Sequence, residues 1–474
     1  MKLKKMSSWT LAIMTVAAVC SLKGLPMIAK EGTEMFFYLG FSVLLFLLPA
    51  SLVAAELGSA FSSKKGGVYT WVSAAFGTKL GFTAIWLQWM QNVVWYPTVL
   101  AFGAAALAYF IGKPELANNG IYTGTIIIVF YWLATIASLR GTGFASRITA
   151  IGTILGTLLP GILIAVLGLF WLLGDNPNYM FEMHTVKESS GAHARLSPHI
   201  TDLSSLAFLG AIVLLFAGVE VQAVHASELK NPKRDYPKAI FLAAFIILIV
   251  FILGSSALAI MIPNSEIDLN QGLMQAFDAA LTHFNLHWLL VPLGLFIAFG
   301  ALASVMSWIS GPSTGLLQTA QEGEIPPFLA RTNKQGVQQN ILIIQGLIVT
   351  ILSSLYFILK DVSVAFFLLS AMTITLYVVM YILMYLTGIK LRYTEPDLPR
   401  AYKVPGGNIG MIIVAVTGLI GATFAFIVSF VPPNQLPIGN PTQYIGIVTG
   451  GFIVFCTIPF VIQALKKPSW KAAL

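Results

Sequence analysis

The 474-residue sequence predicts an all-α integral membrane protein with twelve spanning helices, two of them broken near mid-membrane. Three observations carry the prediction. The composition is 57% hydrophobic and only 10% charged, with a mean hydropathy of +0.83, which excludes an ordinary soluble domain. Apolar runs of about 20 residues or more, enough to cross a bilayer, recur along the whole chain. Lys and Arg gather in alternate loops, the asymmetry that orientation in a membrane imposes. The chain reads as a single membrane domain over residues 1–474.

Segment 1 runs from about Ser8 to Ala29, and its second half carries Lys23, Gly24 and Pro26 within four positions. A lysine in lipid is costly and faces a partner or a water-filled cavity. Gly24 weakens a helix, and Pro26 cannot donate an interior hydrogen bond yet suits the first turn of a new helix. The stretch therefore predicts a helix that stops near Cys20–Lys23 and restarts near Leu25. A restarting helix offers free N–H groups and a positive dipole end to an anion, as in the broken helices of secondary transporters. Cys20, Ser21, Lys23, Gly24 and Leu25 are the substrate-binding candidates here. The opening Met1-Lys2-Leu3-Lys4-Lys5 imitates a secretory signal, but no small-residue cleavage site follows, so the run is kept as a mature helix.

Segments 2 to 12 follow at roughly 36–60, 79–111, 121–138, 148–173, 205–226, 239–262, 287–318, 340–359, 363–389, 409–431 and 444–465. Segments 3 and 8 are long enough to imply strong tilt or continuation past the bilayer. Segment 6 carries the second interruption, where Phe216, Gly218 and Glu220 fall inside an apolar run. A carboxylate there needs a partner or must stay protonated. Segments 1 and 6 each open a set of five, so residues 8–173 and 205–389 read as two inverted repeats, with 409–465 as two additional helices. Lys23 and Glu220 are candidates to face each other across a cavity. The alternatives are a purely internal ion pair, or a Lys23 that snorkels outward toward Lys30. Glu56, near the end of segment 2, reads as an interfacial or packing contact.

With the N-terminus taken as cytoplasmic, the inner flanks hold 21 of the 27 Lys and Arg. The net charge of +8 is thus a topology signal that puts both termini in the cytoplasm, and no nucleic-acid surface is expected. Cys20 and Cys456 lie in apolar runs, which suggests neither a disulfide framework nor a metal site, and no cofactor is expected. The long polar loop near 174–204 holds His184, His193 and His199, and His283 and His287 also fall outside. These residues form either an acid sensor or ordinary wet-loop histidines.

Several motifs then gain meaning together. They are Gly66-Gly67-Val68-Tyr69-Thr70-Trp71-Val72-Ser73, Gly218-Val219-Glu220, Asn231-Pro232 with Arg234-Asp235-Tyr236-Pro237, Ser307 to Ser313, and Pro396-Asp397-Leu398 with Pro405-Gly406-Gly407. In this order the chain resembles, over essentially its whole length, the glutamate/γ-aminobutyrate antiporters of the amino acid–polyamine–organocation superfamily. The resemblance implies a five-plus-five inverted-repeat (LeuT-like) core working by alternating access in a bacterial inner membrane. Small-molecule amino-acid substrates would bind between segments 1, 3, 6, 8 and 10. It carries over the segment 1 break, Glu220, Trp308, Tyr377 and Tyr381 as site positions. The tyrosines' spacing of four puts both on one helix face, where they either line a pocket or belong to an aromatic core stripe.

Two departures from that family stand out. Lys23 replaces the tyrosine that those antiporters place before the segment 1 restart. The chain also ends about nine residues past the last segment, so a C-terminal plug is not expected. The expected function is antiport of an external acidic amino acid against a related internal one such as γ-aminobutyrate, with no catalytic residues. The Gly24 and Leu25 N–H groups would take the α-carboxylate, and carbonyls near Ala17–Cys20 and Phe216–Gly218 the α-ammonium. A proton-coupled uptake permease using Glu220 or Lys23 as proton carrier is the alternative. A non-transporting amino-acid sensor is a third reading, and an enzyme the last.

Overall fold

The computed structural model describes residues 6–61, 66–181, 185–188, 191–194, 196–198, 200, 202–223, 229–359 and 361–472. Among the described residues, eleven helices are long and apolar enough to span a membrane, and the bent pair Ser8–Ala17 and Leu22–Ala29, counted as one broken span, makes a twelfth crossing. The predicted segments correspond to Gly32–Ala60, Thr78–Phe110, Gly120–Leu139, Gly143–Leu173, Leu203–Val221, Arg234–Met261, His287–Gln321, Gln339–Ile358, Val362–Thr394, Gly407–Ser429 and Pro441–Ala464. The predicted boundaries fall within five residues of these. An even number of crossings returns both ends to one face. Beyond the spans, the sequence reading missed two amphipathic helices, Val68–Phe76 and Gly272–His283, each too short to cross. It also missed a small antiparallel hairpin pairing Thr185–Glu188 with Gly191–Ala194.

Burial separates the helices by role. Nearly all of segment 10, 94% of its apolar window, is inside the protein, and 83% of segment 3, whereas only 11% of segment 12 is covered. Segments 3 and 10 thus form the centre, and segment 12 presents its apolar surface outward as lipid demands. Segment 3 packs along segment 8 and against segment 10, and segment 1 packs on segment 7. Segments 2 and 5 each contain a widened π turn, Val43–Leu47 and Ile154–Leu158, immediately ahead of Pro49 and Pro160. A proline removes one ladder hydrogen bond, and the widened turn absorbs that loss.

Of the two readings of Glu56, interfacial or packing contact, the structure leaves the packing one. Glu56 is 1% exposed and holds two arginines. Arg392 Nε and Nη2 reach its carboxylate oxygens at 2.5 and 2.6 Å, Arg400 Nε lies at 3.1 Å, and Val404 N–H donates at 2.7 Å. The carboxylate therefore ties the end of segment 2 to the end of segment 10 and to the loop that follows it. Sequence gave no hint of the pairing, because the partners lie more than 300 positions away.

At the opposite face, the link between segments 1 and 2 buries Glu31 beside Glu34, where Gln435 Nε2 donates to it at 3.1 Å. Burial, reinforced by the neighbouring Glu34 carboxylate, pushes the Glu31 carboxyl up to about 8. Of the five histidines expected on the outer side, His184 and His199 lie outside the described residues, and His193 falls on the hairpin. His283 packs against Trp171 with the rings tilted and their centroids 4.9 Å apart, and His287 Nδ1 is 3.2 Å from the Asp278 carboxylate on the surface.

Candidate substrate site

Both predicted interruptions are present. Segment 1 is helical over Ser8–Val19, extended at Cys20 and Ser21, and restarts as a tight 3-10 turn Leu22–Gly24 leading into Leu25–Ala29. Segment 6 is helical over Ala207–Leu214, loses its ladder through Phe216–Gly218, and resumes at Val219. Gly218 has φ +112°, a left-handed conformation that a side chain would strain. The breaks also touch: a Cβ on Gly24 would stand 2.6 Å from the Leu215 side chain, so a larger residue there would have to push that leucine aside.

A cavity opens between the breaks. Its walls include Cys20, Ser21, Lys23 and Gly24 from segment 1, Trp308 from segment 8, and Tyr377 from segment 10. Leu25, Phe216, Gly218, Glu220 and Tyr381 stand behind these walls. Leu25 packs against Gly254 of segment 7, and Phe216 against the Phe251 ring at 5.3 Å. Trp308 closes over the segment 6 break, its ring 2.8 Å from where a Gly218 Cβ would lie, and meets Trp95 at 5.9 Å between centroids.

Lys23 and Glu220 do not pair. Lys23 is 4% exposed, and its ammonium donates to Thr98 Oγ1 at 2.7 Å. It sits over the faces of Trp95 and Phe366, with Nζ 5.1 and 5.2 Å from the ring centroids. This is the geometry in which aromatic quadrupoles attract a cation. The Thr98 hydroxyl itself donates to Trp95 O at 2.7 Å, so its lone pair is aimed at the lysine. Glu220 is held elsewhere, accepting from Gln88 Nε2 at 2.9 Å and from the Tyr377 and Tyr381 hydroxyls. Tyr381 also accepts the Gly218 N–H at 2.8 Å, so it fastens the segment 6 break to segment 10. Both tyrosines face one way, as their spacing predicts, but only Tyr377 reaches the cavity wall.

One predicted donor set is displaced. Gly24 N–H is bonded to Ser21 O at 3.2 Å, and the Leu25 N–H to Leu22 O. The 3-10 turn begins earlier than Leu25, so its leading N–H groups, at Leu22 and Lys23, are the ones left without an intrahelical acceptor. The sequence reading placed segment 3 beside the site but named none of its residues. Gln91, Asn92 and Trp95 line the cavity, and Thr98 and Gln88 hold its two charges. A signal was present: positions 88, 91, 92, 95 and 98 recur at three- and four-residue spacing, one polar face inside an apolar helix. Phe366 and Ser370 complete the wall from segment 10 and carry no such signature.

Twelve crossings around a central cavity bounded by two broken helices define a membrane transporter. The chain belongs to the amino acid permease family, whose model matches residues 6–453. It is 39% identical to an uncharacterized transporter of Legionella pneumophila, over 97% of this chain and 96% of that one. It is 32% identical to the glutamate/gamma-aminobutyrate antiporter of Lactococcus lactis, over 98% of this chain and 91% of the relative. A probable agmatine/putrescine antiporter of Lactococcus lactis is 23% identical over 97% of this chain.

Proposed function

We propose that the protein exchanges an external acidic amino acid, glutamate-like in its side chain, for a related internal one. We place it in a bacterial inner membrane with both termini in the cytoplasm and two inverted five-helix repeats alternating access to the cavity. The single observation that carries the substrate reading is Lys23, a buried ammonium on the cavity wall whose described neighbours are a hydroxyl and two aromatic rings. An anionic side chain supplies what those neighbours lack. The 32% identity to a glutamate/gamma-aminobutyrate antiporter supports the same direction.

In this reading the substrate's α-carboxylate lies on the leading N–H groups of the Leu22–Gly24 turn. The α-ammonium lies on carbonyls left at the end of the Ser8–Val19 helix, and the side-chain carboxylate on Lys23 Nζ. Trp308 covers the pocket from segment 8. Glu220, gripped by Gln88, Tyr377 and Tyr381, joins segments 3, 6 and 10 beneath it, so that movement of segment 6 is felt at the Tyr377 wall. Glu220 carries three neutral donors and no cation, which keeps proton-coupled uptake as the second reading.

Reconstituted vesicles test both. Glutamate uptake that needs internal amino acid means exchange, and uptake into empty vesicles driven by a proton gradient means symport. Competition in the order glutamate, then glutamine, then lysine is expected, and lysine competing as well as glutamate refutes the acidic preference.

A further inference from the structure

The surroundings of Lys23 bear on the coupling as well as on the substrate. An ammonium has three N–H donors. Thr98 takes one, and among the described residues no carboxylate comes within ion-pairing distance of Nζ. Glu220 belongs to the same region, but its oxygens are occupied by Gln88, Tyr377 and Tyr381. Trp95 and Phe366 cover two sides of the lysine, which also lines the cavity. As long as the cavity holds water, water solvates the remaining N–H groups. Closing the cavity empty strips that water and leaves a buried charge with no counter-ion, which costs far more than burying a paired one. Closing it on a carboxylate replaces the water by an ion pair.

The geometry points to Lys23 as the residue that makes exchange obligatory: its ammonium holds the empty carrier open until a carboxylate-bearing substrate neutralises it. The inference rests on the proposed substrate site and deepens it. A ligand acts on such an equilibrium only through its different affinity for the two states, and an ion pair formed fully in the closed state supplies that difference. Thr98, Trp95 and Phe366 act through the lysine, as positioning residues that aim its free N–H groups into the cavity. Substrates without a carboxylate, such as diamines, cannot perform this neutralisation.

The test uses the full chain in liposomes and compares glutamate uptake into empty and glutamate-loaded vesicles. Wild type is expected to need internal substrate, with loaded vesicles at least tenfold faster. Lys23→Met is expected to bring empty vesicles within about threefold of loaded ones, and Lys23→Arg, which keeps the charge, to restore the requirement. Lys23→Met retaining the tenfold requirement overturns the inference. Should Lys23→Met be inactive, thermal melting of the purified protein decides. A ligand-free melting temperature above wild type in Lys23→Met and in Lys23→Gln, with the glutamate-induced shift lost, supports the inference. Ligand-free melting temperatures at or below wild type in both overturn it. The acidic-substrate reading fails separately, if glutamine competes as well as glutamate in wild type, and that result leaves the loaded-against-empty comparison intact.

Discussion

Glu56 offers a prediction whose size follows from the hydrogen bonds. Replacing it by Gln keeps the shape and removes the charge that Arg392 and Arg400 share. The two arginines are not equally exposed to the loss. Arg400 keeps its bonds to the carbonyls of Leu391, Glu395 and Leu398 at 2.8, 3.0 and 2.9 Å. Arg392 keeps Val404 O at 3.0 Å and one bond to the remaining amide oxygen in place of two to a carboxylate, so the penalty falls on it. Removing one partner of a buried pair costs about 3–5 kcal/mol. Because one of the two cations stays well bonded and the site lies near a membrane face, we expect about 2–4 kcal/mol for Glu56→Gln. The pair Glu56→Gln and Arg392→Met removes the orphan along with its partner, so the double variant should lose less than the sum of the singles. A coupling of about 1.5 kcal/mol or more is expected for groups in direct contact. Thermal melting of the solubilised protein, followed by its own tryptophan fluorescence, reads all three variants. Additivity within about 0.5 kcal/mol would refute the reasoning and reduce the cluster to independent surface contacts.

Three further expectations follow from the site and its surroundings. In Glu220→Gln, one side-chain oxygen becomes a donor facing the Tyr377 and Tyr381 hydroxyls and Gln88, so at least one donor is orphaned; glutamate exchange in liposomes should fall at least about tenfold while the protein still folds. Thr98→Val removes the one hydrogen bond on Lys23, and a loss of about 1 kcal/mol should raise the half-saturating glutamate concentration about fivefold, read from the concentration dependence of exchange. For Glu31 the sign is set by a carboxyl raised in the folded protein from its ordinary 4.5 to about 8. Between those values the folded state binds more protons than the unfolded one, so stability falls as pH rises through that window and levels off above it. Melting temperatures between pH 5 and 9 should therefore decline in wild type and decline much less in Glu31→Gln; parallel curves would show that Glu31 does not carry the effect.

What the sequence determines by itself is local. The length of an apolar run sets where a helix crosses, since a bilayer leaves backbone groups no other partner, and all twelve crossings were legible for that reason. The interruptions at Cys20–Gly24 and Phe216–Gly218 were legible too, because Gly, Pro and a lone charge act on the turn in which they sit. What a charge meets is decided across the fold. Lys23 and Glu220 looked like partners because they were the two charges inside apolar runs, yet Lys23 donates to Thr98 and Glu220 accepts from Gln88, Tyr377 and Tyr381. Segments 3 and 10, packed side by side, intervene with enough hydroxyls, amides and rings to satisfy each charge separately. Glu56 was left between an interfacial and a packing contact for the same reason in reverse, since its arginines lie beyond residue 390 and only the return of segment 10 to that face brings them near. A side chain's polarity is written in its own position, but the free energy of burying it depends on neighbours that only tertiary packing supplies.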